Sequence, residues 1–195
     1  MLLIGLTGGI GSGKTTVATI LEHMGFPVFY SDKEAASLMD SDPSIRLFLN
    51  ELADEDLYLS NKLNRKRLAE IVFSQPTLLN QLNSRIHPLV REQFSNWSKV
   101  QNTPMVFNEA AILFETKANV NFHRMLHVSA PSSLRIERVL KRDQMSVEQI
   151  KYRMNNQWTD EQKNPLADYV ILNDGRPILD QIECVVEKLQ TEEQN

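Results

Sequence analysis

Nine residues near the start of the chain, Gly8-Gly9-Ile10-Gly11-Ser12-Gly13-Lys14-Thr15-Thr16, constrain it more than any other stretch. From Gly8 they read glycine, four residues, glycine, lysine, threonine, the pattern of a phosphate-binding loop. Glycines let the backbone take positive φ and bring N–H groups close to phosphate oxygens. Lys14 is a mobile point charge able to reach the β- and γ-phosphates, and the Thr15 hydroxyl is a ligand suited to Mg²⁺. Such a loop belongs between a buried strand and a helix whose N-terminus faces the anion. The flanks comply. Leu2-Leu3-Ile4-Gly5-Leu6 is a short apolar run, Val17, Ile20, Leu21 and Met24 fall at helical spacing, and Gly25 offers a stop. The spacing predicts a bound nucleoside triphosphate with Mg²⁺.

The rest of the chain alternates short strands with helices. Pro27 to Tyr30 reads as a second strand, and Ser31 and Glu34 are spaced as a capping box for the helix after it. Asp32 lies just inside that start, at the carboxyl end of a strand, where ligands of open parallel sheets bind. Its spacing fits a helix-start acid equally well. Residues 43 to 101 read as helical without a convincing strand. Pro43 and Pro76 suit helix first turns, Leu68, Ile71 and Val72 form one apolar stripe, and Leu78, Leu79, Leu82 and Ile86 form another. His87-Pro88 interrupts the second stripe and predicts a kink or break. The cluster Arg65-Lys66-Arg67 fits either a solvated face or an anionic substrate.

Pro104 to Phe107 gives a third strand ending at Asn108-Glu109, an acid placed either to hold a Mg²⁺ shell through water or to act as a loop carboxylate. Arg124 to Val128 gives a fourth strand. His123 and His127 are four apart, but on a strand that spacing makes no chelating pair. A helix over 131–142 carries Arg135, Arg138, Lys141 and Arg142, either an exposed basic face or a lid that closes on phosphates. Ser146 and Gln149 cap the next helix. Ala167 to Asn173 is a fifth strand ended by the Asn173-Asp174-Gly175 turn, and Ile178, Ile182, Val185 and Leu189 mark the core face of a final helix with a frayed polar end over 190–195. Five strands with helical crossovers make an α/β chain, a parallel sheet with helices on both faces.

Composition excludes several other classes. A net charge of −4 with 25 acidic and 21 basic side chains argues against a general nucleic-acid or anionic-membrane binder. No apolar run approaches the ~18–20 residues of a membrane span, and no secretory leader is visible. The single cysteine, Cys184, reads as a small packing residue of the last helix. The expectation is a cytoplasmic protein with no evident obligate protein partner.

Beyond the loop, an ordered set of motifs resembles the dephospho-CoA kinase family over nearly the whole chain. It comprises Gly5 to Thr16, Asp32, Leu63-Asn64-Arg65-Lys66-Arg67-Leu68, His87-Pro88, Ala111 to Glu115, Arg138 with Arg142, Gln157, and Ala167-Asp168 with Asn173 and Gly175. Four positions depart from the family pattern. Tyr30 and Asn64 replace aspartates, Ala111 replaces a proline, and Lys163 stands where arginine is frequent. The resemblance implies a phosphate-loop NTPase fold with a core over about 1–40, 102–130 and 165–190. It implies a helical substrate region over about 41–101 and a lid over about 131–163.

The activity implied is ATP-dependent phosphorylation of the ribose 3′-hydroxyl of dephospho-CoA. Gly9, Gly11, Ser12, Gly13, Lys14, Thr15 and Thr16 would hold ATP, with Thr15 on Mg²⁺ and Asn173 near the adenine. Asp32 would accept or orient the hydroxyl proton, and Arg142 would steady the transferring group. Arg65, His87 and Glu115 would lie on or behind the acceptor side. The alternative is a kinase for another small acceptor, such as a nucleoside monophosphate. A GTPase switch should carry Asn-Lys-x-Asp, and the nearest match, Asn61-Lys62-Leu63-Asn64, lacks the carboxylate that reads guanine. A non-catalytic ATP-binding regulator is disfavoured by intact Asp32 and Arg142.

Overall fold

The computed structural model describes residues 1–143 and 145–193. They form two compact units, one of Met1–Tyr30 with Gln101–Asn195 and one of Ser31–Val100. The chain opens with strand β1 (Leu2–Thr7), the glycine-rich loop, helix α1 (Lys14–His23) and strand β2 (Val28–Tyr30). α1 stops at Gly25, whose φ of 91° lets its N–H reach Glu22 O while Phe26 N–H reaches Leu21 O.

The second unit begins with α2 (Ser31–Ser41), directly after β2, so the helix starts at the serine expected to precede it. α3 (Pro43–Ala53) is capped by Asp42, which accepts from the N–H groups of Ser44 and Ile45. The strand-free reading of this region needs correction. Strands β3 (Tyr58–Leu59) and β4 (Lys62–Leu63) make a small antiparallel hairpin. Ser60 and Asn61 turn it with φ of 50° and 62°, and two-residue strands carry no apolar run to detect. α4 (Arg65–Ser74) follows, capped by Asn64. α5 (Pro76–Lys99) continues through Pro88 as one helix, without a break there. The missing Pro88 donor costs one hydrogen bond. The stripe Leu82, Ile86, Val90 and Phe94 is buried on both sides of it and keeps the turns in register. Leu79 is exposed rather than part of that stripe.

The first unit resumes with β5 (Met105–Glu109), β6 (Arg124–Ser129), α6 (Ser132–Arg142), α7 (Val147–Asn155), α8 (Asp160–Lys163), β7 (Tyr169–Leu172) and α9 (Leu179–Glu193). The frayed end predicted for 190–195 is helical to Glu193; Gln194 and Asn195 lie outside the described residues. The sheet order is β2-β5-β1-β6-β7, all pairs parallel, with helices around it. On one face Ile4, Leu6, Met105, Phe107, Leu126, Val128 and Ile171 meet Val17 and Leu21 of α1 and Ile182, Val186 and Leu189 of α9. Each such Leu or Ile contributes about 1.5–3 kcal/mol on burial. Cys184 is exposed on α9, not packed as predicted. On the other face Gly5 leaves room for Met125, since a Cβ there would sit 2.5 Å from its sulfur. β1 is central, so the loop after it lies at the carboxyl ends of its neighbours β5 and β6.

Candidate active site

The loop is shaped by glycine φ values of 76° at Gly11 and 98° at Gly13. A Cβ on Gly9 would collide with the Arg135 guanidinium, and one on Gly13 with the Asn173 carboxamide. Those neighbours grip the loop from outside. Arg135 Nε donates to Ile10 O at 2.9 Å, Asn173 Nδ2 donates to Ser12 O at 2.9 Å, and Arg138 Nη1 approaches Ser12 O at 3.4 Å. Arg138 Nη2 also donates to the Asn173 backbone and side-chain oxygens, which orients that amide. Gln157 Oε1 accepts from Ile10 N–H at 2.9 Å. In a planar trans peptide the carbonyl and the following N–H point opposite ways. Holding the Ile10 and Ser12 carbonyls outward therefore aims the Gly11 and Gly13 N–H groups inward, as an anion cradle requires.

Lys14 is the first residue of α1 and is largely buried, with Nζ 3.7 Å from Glu109 Oε1 at the end of β5. β1 and β5 pair Leu6 with Glu109, which sets the carboxylate level with the loop. Thr15 and Thr16 are exposed on the first turn of α1. Ser12 Oγ is buried without a hydrogen-bond partner among the described residues. Inward amides, an ammonium, open hydroxyls and an acid on the adjacent strand suit a polyphosphate with a divalent cation. Tyr30, where the family pattern has an acid, donates from its hydroxyl to Glu22 at 2.9 Å. Burial, with the Glu22 carboxylate beside it, pushes that phenol up to about 12. Tyr30 is thus neutral and brings no charge in place of the acid.

A buried polar network lies behind the loop. Lys163 is 0% exposed and donates to Glu115 Oε1 at 2.7 Å and to Ala111 O at 3.1 Å. Glu115 also accepts from Trp158 N–H. Asp160 Oδ2 accepts from Ser129 Oγ and Ala130 N–H, while Oδ1 lies 3.5 Å from both Arg135 Nη1 and His127 Nε2. His127 Nδ1 is 2.7 Å from Asn164 Oδ1. Burial lowers the His127 imidazole below its ordinary value, against the pull of Asn164 and Asp160 upward and with Lys163 and Arg135 adding to the fall.

Of the other predicted site residues, Asp32, Arg65 and His87 lie in the second unit and Glu115 and Arg142 in the first. Asp32 is exposed in the first turn of α2. His87 is half-buried on α5, lowered by burial and by Arg91 and raised by Asp32, so Asp32 and His87 are electrostatic neighbours. Arg65 Nη2 bonds Ala36 O and Asp40 Oδ2, tying α4 to α2. Arg142 is exposed on the last turn of α6 and pairs bidentately with Asp143. The cations on the loop are instead Arg135 and Arg138, three apart on one helix face. Glu115, expected on or behind the acceptor side, is engaged by Lys163.

The sequence matches the profile of the dephospho-CoA kinase (CoaE) family over residues 2–178. The chain belongs to the dephospho-CoA kinase family. A dephospho-CoA kinase of Bacteroides fragilis is 42% identical over 181 residues, 92% of this chain and 88% of that protein. A crystal structure of a protein from Thermus thermophilus superposes with a TM-score of 0.84 at 34% identity, covering 98% of this chain and 97% of that one. A dephospho-CoA kinase from Campylobacter jejuni gives 0.67 at 27% identity, with 98% and 97% covered. This kinase therefore has the phosphate-loop kinase fold predicted for it. Among its described residues no helix is long and apolar enough to cross a membrane. The sequence offers Glu109 as a metal-shell acid or a loop carboxylate, and Arg135 and Arg138 as lid cations or a basic face; it gives no sign that Arg135, Arg138 and Gln157 hold the loop or that Lys163 pairs with Glu115. Arg138 and Gln157 fell within the family motifs, but their grip on a loop more than a hundred residues away has no local signal.

Proposed function

We propose that this chain transfers the γ-phosphoryl group of ATP to the ribose 3′-hydroxyl of dephospho-CoA, giving coenzyme A and ADP, in the cytoplasm. The observation that carries the reading is the loop with its carbonyls held out and its amides turned in, in a chain of this family. The Gly9–Gly13 backbone and Lys14 hold the phosphates, with Thr16 at the helix start beside them. Thr15 is the ligand for Mg²⁺, which would neutralise charge on the β- and γ-oxygens when bound. Asn173, fixed by Arg138, lies on the nucleotide side. Asp32 accepts or orients the proton of the 3′-hydroxyl, with His87 and Arg65 supporting the acceptor. Glu115 acts from behind, through Lys163 and Trp158.

The lid reading takes a narrower form. Arg135 and Arg138 anchor the early turns of α6 to the loop. Closure over 131–163 would then fall to its last turn and to α7, and would bring Arg142 to the transferring group. Because the transition state is loose, most of the gain comes from positioning and charge stabilisation.

ADP release with a panel of acceptors tests the substrate. Dephospho-CoA should be phosphorylated and nucleoside monophosphates should not; the reverse result overturns the reading. Asp32→Asn tests the mechanism. It keeps size and helix-start compatibility, so ATP affinity and melting temperature should hold while single-turnover transfer slows by roughly 10²-fold or more. A helix-start acid alone would give ordinary turnover and a stability loss of about 0.3–1 kcal/mol.

A further inference from the structure

Arg135 matches no family motif, yet its guanidinium is buried against the loop. The residue is 4% exposed. Burying a guanidinium is costly unless it is paired and hydrogen-bonded. Its Nε–H goes to Ile10 O at 2.9 Å, and its counter-ion is Asp160, 3.5 Å from Nη1. The guanidinium fills the space beside Gly9, and its main chain lies where a Cβ on Gly11 would be. Asp160 is fixed in turn by Ser129 Oγ at 2.7 Å and Ala130 N–H at 3.0 Å, both at the end of β6.

The torsions of the Ile10–Gly11 peptide do not by themselves fix its orientation, because a glycine follows the carbonyl and accepts either sign of φ. A flip of that peptide would turn the Ile10 carbonyl toward the phosphates and remove an inward donor. We infer that Arg135 is a positioning residue for nucleotide binding: it locks the Ile10–Gly11 peptide in the anion-accepting orientation, with Asp160 as the counter-ion that fixes it. The inference rests on the ATP reading of the loop. It assigns Arg135 to the phosphate end of the nucleotide, and predicts no effect on the acceptor.

The test is Mg–ADP binding by calorimetry, with steady-state kinetics alongside. Arg135→Met keeps the stem of the side chain as far as Nε and loses its donors. Its Kd for ADP should rise by about tenfold, from the loss of a charge-assisted hydrogen bond and the orientation it fixes. The KM for dephospho-CoA should stay within about twofold. Arg135→Lys, which keeps a charge and one reachable donor, should fall between. Asp160→Asn should weaken ADP by less, and its effect should vanish in the Arg135→Met background, because it acts through Arg135. A residue that only stabilises the fold would lower the melting temperature and leave the Kd of the folded protein unchanged; that result for Arg135→Met overturns the proposal. Should Arg135→Met fail to fold, Arg135→Lys decides it, and an unchanged Kd there overturns it equally. Additive effects of the two sites remove Asp160 from the assignment. ADP binding by the unaltered chain stands as the separate check on the ATP reading.

Discussion

Lys163→Met should be among the most destabilising single changes available to this kinase. Lys163 is fully buried, with its ammonium 2.7 Å from Glu115 and 3.1 Å from the Ala111 carbonyl. Methionine matches the stem but leaves the Glu115 side chain, 12% exposed, without its cation. Glu115 Oε2 already has no hydrogen-bond partner among the described residues, so little remains to absorb the charge. Breaking a buried pair from one side costs about 3–5 kcal/mol. For a chain of this length that converts to a fall in melting temperature of roughly 6–20 °C. Removing both charges is different, since an apolar pair of similar volume is often neutral. The double variant Lys163→Met with Glu115→Leu should therefore recover most of the lost stability, apart from the Trp158 N–H that Glu115 also accepts. Urea melts of the two singles and the double give the coupling energy directly. A loss under about 1 kcal/mol for Lys163→Met, or a double variant as unstable as the singles added together, would refute the reasoning. A restored double variant with a near-normal KM for dephospho-CoA would also confirm that Glu115 acts from behind the site.

Lys14→Ala should cost some stability, because it removes a cation 3.7 Å from the buried Glu109 carboxylate, while phosphoryl transfer by the folded variant falls severely. Near-normal turnover of the folded variant would remove the loop lysine from the mechanism. His127 should make stability fall on acidification. Its folded value lies below its ordinary one because of burial, so below about pH 6.5 the unfolded chain takes up the proton first and unfolding becomes easier. His127→Gln should give a flatter stability profile between pH 7 and pH 5, with the remaining slope including His87, which is lowered in the same direction. An unchanged slope would mean that His127 does not titrate differently on folding.

Local signals were enough for most of the sheet and for the anion site. The five strands announce themselves as short apolar runs, and glycines at 11 and 13 occupy positions with φ of 76° and 98° that other residues rarely adopt. Ser146 and Gln149 form the capping box their spacing predicts. Where such rules competed with packing, packing won. The buried stripe from Leu82 to Phe94 carries α5 through Pro88, whose ring alone would break a helix. The β3–β4 hairpin rests on two left-handed residues and no apolar alternation, so periodicity missed it.

By itself the sequence determined what the loop can bind, because phosphate recognition there is a backbone property of nine consecutive residues. Only the tertiary structure decided what holds that loop in shape. Arg135, Arg138, Gln157 and Asn173 reach it from more than a hundred residues away, and Lys163 finds Glu115 across 48 positions of chain (163 minus 115). No spacing rule links such residues. Their pairing follows from burial, which makes every charge and carbonyl behind the loop find a partner or incur the cost of desolvation.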